Sequence, residues 1–202
     1  MTNAKSALAA GVAAMAVVVV TSNILVQYPV EGQIGGLNLA DILTWGAFTY
    51  PIAFLVTDVV NRTFGPELAR KVALTGFVVA VIMSTVLASP RIAIASGTAF
   101  LASQLFDVAM FHRLRYGVWW RAPLASSVAA SVLDTVLFFT IAFSAAIPFA
   151  VDGFAVDWAP IFGLTGLPEA PRWVSWAIAD FSVKVLISAF ALGPYRFITQ
   201  PR

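Results

Sequence analysis

Apolar and polar positions alternate along this chain on a scale much longer than one helical turn. Apolar runs of about 20 residues, the length a helix needs to cross a bilayer, are separated by short polar segments. Six spans are predicted: Ser6 to Gln27, Leu39 to Val60, Val72 to Ala88, Ile92 to Phe111, Ala122 to Ile147 and Trp173 to Leu192. Pro51 falls inside the second, where it removes a hydrogen bond and frees the carbonyl of Ala47. Lys5 precedes the first run as in a leader peptide. That run continues to Val26, and no small-x-small cleavage site follows Val20, so it is expected to stay as the first helix. No similarity relates the first three spans to the last three, so no inverted repeat is expected.

The charges orient these spans. Of 12 Lys and Arg residues, nine fall on one side of the alternation: Lys5; Arg62, Arg70 and Lys71; Arg113, Arg115 and Arg121; Arg196 and Arg202. The other side holds Arg91 and Arg172, and Lys184 lies within a span. Cytoplasmic loops are the basic ones, so both termini are expected in the cytoplasm. The expected fold is an all-α membrane protein, a six-transmembrane-helix bundle forming a single transmembrane domain over 1–202.

Composition agrees with that pattern. The chain is 60% hydrophobic and 11% charged, with a mean hydropathy of +0.88. Soluble domains run at roughly 45–50% apolar and about 25% charged. The pI near 9.2 reads as topology rather than as a nucleic-acid surface, because the basic residues are dispersed among the loops. There is no cysteine and one histidine, His112, which excludes disulfides, thiolate metal sites and multi-imidazole sites within one chain. No GxSxG elbow, HExxH helix or phosphate-cradling loop appears, and Gly35-Gly36 is only a short turn. No catalytic residue, metal or cofactor is expected, and the chain is read as a non-enzyme. The Pro- and Gly-rich connection from Pro148 to Arg172 is read as an outer surface loop, or a lid, with Trp158 and Phe162 at the lipid headgroups.

A charge at the bilayer centre costs about 2.5–3.5 kcal/mol on insertion scales, so the polar residues inside the spans are the candidate site. Ser127, Ser131, Asp134 and Thr135 share one face of the fifth span. Trp176, Asp180, Lys184 and Ser188 form an i, i+4 stripe on the sixth, where Asp180 and Lys184 could neutralise each other. Ser96, Phe100, Gln104 and Asp107 align on the fourth, and Asn23 and Gln27 stand one turn apart on the first. Asp58, one turn before Arg62, reads as an exposed gate or a topological anchor. A polar, aromatic-lined interior suits a small, polar, planar solute better than a bare ion.

Several ordered segments carry a resemblance. They are Thr21-Ser22-Asn23 with Leu25-Val26-Gln27; Thr44-Trp45-Gly46-Ala47-Phe48 through Pro51 to Thr57-Asp58, Arg62, Phe64 and Gly65; and Arg91-Ile92-Ala93 leading to Gln104, Asp107, Phe111 and Arg113-Leu114-Arg115. Trp119-Trp120, Ala122-Pro123, Asp134-Thr135 and Phe138-Phe139 follow, then Asp180-Phe181 and Lys184-Val185-Leu186-Ile187-Ser188. Together they resemble the queuosine precursor transporter family, also called the vitamin uptake transporter family. The chain departs from that pattern at Ser131, where an asparagine is usual.

The resemblance implies import of 7-cyano- or 7-aminomethyl-7-deazaguanine across the inner membrane. It also implies a six-helix fold similar to the substrate-binding components of energy-coupling-factor vitamin transporters. One carboxylate could accept both N–H groups of a deazaguanine edge, and Asp134 or Asp107 is expected in that role. The carbonyl needs a donor such as Asn23, Gln27, Gln104 or Lys184, the last of which could instead pair with an aspartate. The ring could stack on Trp45 or Phe100. The partners expected are the small deazaguanine and membrane lipid, with no nucleic acid and with homo-oligomer formation left open. Two mechanisms stay open: a facilitated or proton-coupled carrier acting alone, and a binding subunit that needs a separate ATP-driven module. Alanines at small-xxx-small spacing (Ala9 and Ala13, Ala10 and Ala14) could dock such a module.

Overall fold

The computed structural model describes residues 2–147 and 153–200. Asp152 of the outer connection and Arg202 of the basic tail lie outside the described residues. In chain order the elements are α1 (Thr2–Leu25), the hairpin β1 (Gln33–Ile34) and β2 (Leu37–Asn38), α2 (Gly46–Thr49), α3 (Ile52–Phe64), α4 (Pro66–Leu87), α5 (Pro90–Leu114) and α6 (Arg121–Phe143). α7 (Gly153–Val156), the hairpin β3 (Trp158–Pro160) and β4 (Glu169–Pro171), and α8 (Arg172–Thr199) complete the chain. Among the described residues, five helices are long and apolar enough to cross a membrane: α1, α4, α5, α6 and α8.

The predicted second span is the one that differs. Leu39 to Val60 is not a single helix. Its first part is a 3-10 turn at Leu39–Asp41 and an irregular stretch that bridges back to the segment after α1, through Val30 N–H to Leu43 O (3.0 Å) and Trp45 N–H to Tyr28 O (2.9 Å). Helix begins at Gly46 and breaks at Tyr50–Pro51, because proline has no N–H for the carbonyl one turn back. Ala53 N–H reaches back only three residues, to Tyr50 O at 3.0 Å, before regular helix resumes. The fifth predicted span ends early, at Phe143 rather than Ile147, while the sixth runs past Leu192 to Thr199 despite Pro194.

Close packing holds the bundle. In lipid there is no hydrophobic gain in bringing helices together, so small residues that let backbones approach supply the contact. Ala69, Val72 and Ala80 of α4 meet Met15 and Val19 of α1, Ala53 and Val60 of α3, and Phe100 and Val108 of α5 in one buried cluster. Val17, Ile82, Val86, Val136 and Phe190 point outward, more than half exposed, where acyl chains would cover them. α3 turns into α4 through Gly65 alone, at φ +89°, a left-handed conformation that glycine adopts without the Cβ penalty. Ser89 caps α5 by accepting from Ile92 N–H at 3.4 Å, with Pro90 in the first turn.

The helix ends that carry Arg62, Arg115 and Arg196 come together. Arg62 donates to the carbonyl of Arg115, and Arg115 returns a 3.0 Å bond to the carbonyl of Arg62, which locks the ends of α3 and α5 together. Arg196, near the end of α8, lies 4.8 Å over the Trp119 ring just before α6. At the other end, Arg91 donates to the carbonyls of Ile141 and Ser144 at 2.7 and 2.6 Å, tying the start of α5 to the end of α6.

Candidate functional site

In the half of the bundle away from the basic segments lies a cavity of about 430 Å³. Ser22 and Asn23 of α1, the segment from Ala40 to Thr44, Tyr50, Ser96 of α5, the second half of α6 and the first half of α8 form its wall. Its size falls within the ~300–1,000 Å³ of small-molecule sites.

Its floor is an ion cluster. The Lys184 ammonium bonds Asp134 Oδ2 at 2.7 Å, Asp180 Oδ2 at 2.5 Å and Thr135 Oγ at 3.2 Å, which accounts for its three protons. Asp134 Oδ1 accepts from the Tyr50 phenol at 3.2 Å and from Ser103 Oγ at 3.3 Å. Thr135 Oγ donates to Asp180 Oδ2 at 3.2 Å. Two carboxyl groups therefore surround one ammonium. The Asp134 side chain is 4% exposed and that of Asp180 is 18% exposed, so Asp180 is the more open of the two acids that line the cavity.

One wall is aromatic. Phe139 and Phe143 lie 5.8 Å apart, and Phe143 meets Trp176 edge-on at 5.4 Å. Their positions follow from helix periodicity, because residues four apart stack on one face of α6 beside the Trp176–Asp180–Lys184 face of α8. Asn23, also in the wall, donates to Val19 O at 2.9 Å and accepts from Ser84 Oγ at 3.0 Å.

Of the residues singled out from the sequence, Asn23, Ser96, Asp134, Trp176, Asp180 and Lys184 meet at this cavity. The others lie elsewhere. Gln27 is exposed beyond the end of α1, 3.4 Å from Asn23 O. Trp45 is 49% exposed and packs on Phe48 at 5.6 Å. Phe100 is fully buried behind Tyr50, with the rings 6.0 Å apart. Gln104 accepts from Thr57 Oγ at 3.0 Å, and Asp107 is buried beside Asp58, both nearer the basic end. Asp58 is itself 2% exposed and Arg62 bonds elsewhere, so the expected exposed gate or anchor is a buried acid instead.

Sequence reasoning missed Tyr50, the segment from Ala40 to Thr44 and the Phe139–Phe143 wall. The tyrosine before a mid-span proline was a usable signal, since a helix break turns side chains toward the bundle interior. Nothing in the sequence marks the segment before Trp45.

Comparison with known proteins places the chain in context. Residues 44–89 and 84–198 match the family model described as "Putative vitamin uptake transporter". The chain is 35% identical to the "Queuosine precursor transporter" of Escherichia coli (strain K12), over 85% of this chain and 76% of that protein. It is 36% identical to the "Probable queuosine precursor transporter" of Haemophilus influenzae, over 68% of this chain and 71% of that protein. A protein of the same description in Bacillus subtilis is 26% identical over 78% of this chain and 71% of its own length. No solved structure gives a significant match.

Proposed function

The chain belongs to the queuosine precursor transporter family, and from that premise we propose that it is a carrier importing 7-cyano- or 7-aminomethyl-7-deazaguanine. It is a multi-pass inner-membrane protein. The observation that carries the substrate reading is one cavity, about 430 Å³, that joins an ion cluster to an aromatic wall. A 7-deazaguanine needs both. Its ring N–H and exocyclic NH2 can meet one carboxylate side by side, and its face needs a π surface.

Asp180 takes the donor edge in this reading, being the more open of the two acids at the cavity. Lys184, with its protons committed, holds Asp180 and Asp134 in place rather than reaching the solute. Asn23 supplies the donor to the ring carbonyl, and Phe139, Phe143 and Trp176 enclose the ring. The chain crosses the membrane six times as one transmembrane unit, with α2 and α3 together forming the second pass. From Gly46 to Phe64 the rise is about 28 Å at 1.5 Å per residue, near the ~30 Å hydrocarbon thickness. The basic end faces the cytoplasm with both termini, so the cavity faces outward.

The test is a binding titration of the purified protein with both deazaguanines and with guanine. The wild type is expected to bind the deazaguanines. Asp180→Asn is expected to weaken binding about ten- to a hundredfold, the effect of one charge-assisted pair worth ~1.5–3 kcal/mol. Absence of binding by the wild type, or unchanged affinity in Asp180→Asn, overturns the assignment.

A second reading, a substrate-binding subunit similar to energy-coupling-factor components, has one observation in its favour. Ala9, Ala10, Ala13 and Ala14 are exposed on the outside of α1, at a spacing that lets another helix approach. Transport by the purified chain in liposomes without any ATPase separates the two.

A further inference from the structure

Between the cavity and the basic end lies a second buried polar cluster that the binding site does not use. Asp58 of α3 and Asp107 of α5 are 2% and 0% exposed, and their carboxyl groups lie within hydrogen-bonding reach of each other. Ionised carboxylates only accept, so a bond between them requires a proton. Ser127 Oγ donates to Asp58 Oδ2 at 3.4 Å. Asp58 Oδ1 and both oxygens of Asp107 accept no well-aligned hydrogen bond from another group among the described residues, although the Ser126 and Thr57 hydroxyls lie beside Asp107. Among the described residues no salt bridge reaches either acid, and Arg62 and Arg115 each donate to the other's carbonyl.

Two further features mark this as a place for a mobile proton. A void of about 10 Å³, room for about one water, touches Asp58, Ser127, Ser188 and Tyr195. The Tyr195 hydroxyl in its wall is without a hydrogen-bond partner among the described residues, although Tyr195 is 1% exposed. Toward the cavity the polar groups continue: Ser103 donates to Asp134, and its neighbour Gln104 accepts from Thr57 at 3.0 Å, whose hydroxyl lies near Asp107.

We infer that the Asp58–Asp107 pair is a proton-binding site that couples the transmembrane proton gradient to import, one proton moving inward with each solute. This rests on the carrier reading above. With the cavity facing outward the pair shares one proton. Release of that proton toward Tyr195 and the cytoplasmic end leaves two negative charges facing each other across α3 and α5, which favours rearrangement of those helices. The proton is only transferred between oxygens and water, so no co-reactant is needed.

Among the described residues, the groups around the pair are hydroxyls and arginines that make no salt bridge with it. α3 contributes Arg62 and α5 contributes Arg115, both engaged as described; α6 presents Ser126 and Ser127, and α8 presents Tyr195. α1 and α4, which also pack on α3, carry Lys5, Glu67, Arg70 and Lys71 only on exposed turns. His112, five positions after Asp107, points about 140° away around the helix.

The experiment uses the purified full chain in liposomes with radiolabelled 7-deazaguanine precursor. Counterflow, with solute on both sides and no gradient, reports the carrier itself. Under an outside-acid gradient the wild type is expected to accumulate solute, up to about tenfold per pH unit, with protons entering alongside. Asp107→Asn and Asp58→Asn are expected to keep solute binding and counterflow but to lose gradient-driven accumulation. Gradient-driven accumulation retained by either folded Asn variant overturns the site, and should one variant fail to fold, the other together with Asp107→Glu, which keeps a carboxyl and is expected to keep accumulation, decides it. Counterflow without a response to the proton gradient, or accumulation driven by a sodium gradient instead, overturns the coupling site and leaves the carrier standing. Absence of counterflow overturns the carrier and the coupling together.

Discussion

Lys184 shows at the scale of one residue how an intramembrane charge is made tolerable. Its side chain is 4% exposed and meets two carboxylates and a hydroxyl. Removing one partner of a buried ion pair strands the other and typically costs about 3–5 kcal/mol. Lys184→Met is therefore expected to lower the thermal midpoint of the detergent-solubilised protein sharply, because Asp134 and Asp180 would face each other without a cation. Adding Asp180→Asn to that variant should restore part of the loss. A melting curve of Lys184→Met indistinguishable from wild type would mean that the cluster is hydrated rather than dry. The i, i+4 relation of Asp180 and Lys184 was legible in the sequence. The partner that completes the cluster, Asp134, is 50 residues away, and no local pattern announces such a contact.

Among elements, the break between α2 and α3 shapes the site most. Tyr50 stands at that break, where its phenol can reach Asp134 instead of lying along the helix. The approach of α2 to the end of α1 is equally tight. A Cβ on Gly46 would sit 2.9 Å from the backbone nitrogen and Cα of Val26, so the helices cannot keep their distance with any larger residue there. Gly46→Ala should destabilise by about 1–3 kcal/mol through overpacking and weaken solute binding, since Gly46 and Val26 both line the cavity. Gly153→Ala, with nothing within 4 Å of its added Cβ, should leave both unchanged. Equal melting temperatures for the two variants would show that the end of α1 yields freely. Pro51 gave warning of this break, but the irregular stretch from Leu39 to Trp45 did not, because its apolar composition reads the same in a helix as in a packed turn.

For the whole molecule, the prediction concerns orientation. Arg62, Arg115, Trp119 and Arg196 come together at one end of the bundle, and Arg91 closes the other. The absence of cysteine makes this directly measurable. Single cysteines at Gly117 and at Glu67, on the basic end, should react with a membrane-impermeant maleimide only after the inner membrane is opened. One at Gly35, in the β1–β2 turn, should react in intact spheroplasts. Labelling of Gly117→Cys from outside would reverse the topology and turn the cavity to the cytoplasm.

By itself the sequence determined that the chain lives in lipid, where five of its long helices run, and that Asp134, Asp180 and Lys184 inside them demand an explanation, though it misread Asp58 as exposed. Each of these follows from the cost of exposing polar groups to hydrocarbon, a cost that composition and period reveal residue by residue. Only the tertiary structure decided that Asn23, Asp134, Asp180 and Lys184 meet in one cavity while Gln104 and Asp107 join Asp58 in another cluster. Which helix faces touch depends on close packing between segments far apart in the chain, and local periodicity fixes a face without naming its neighbour.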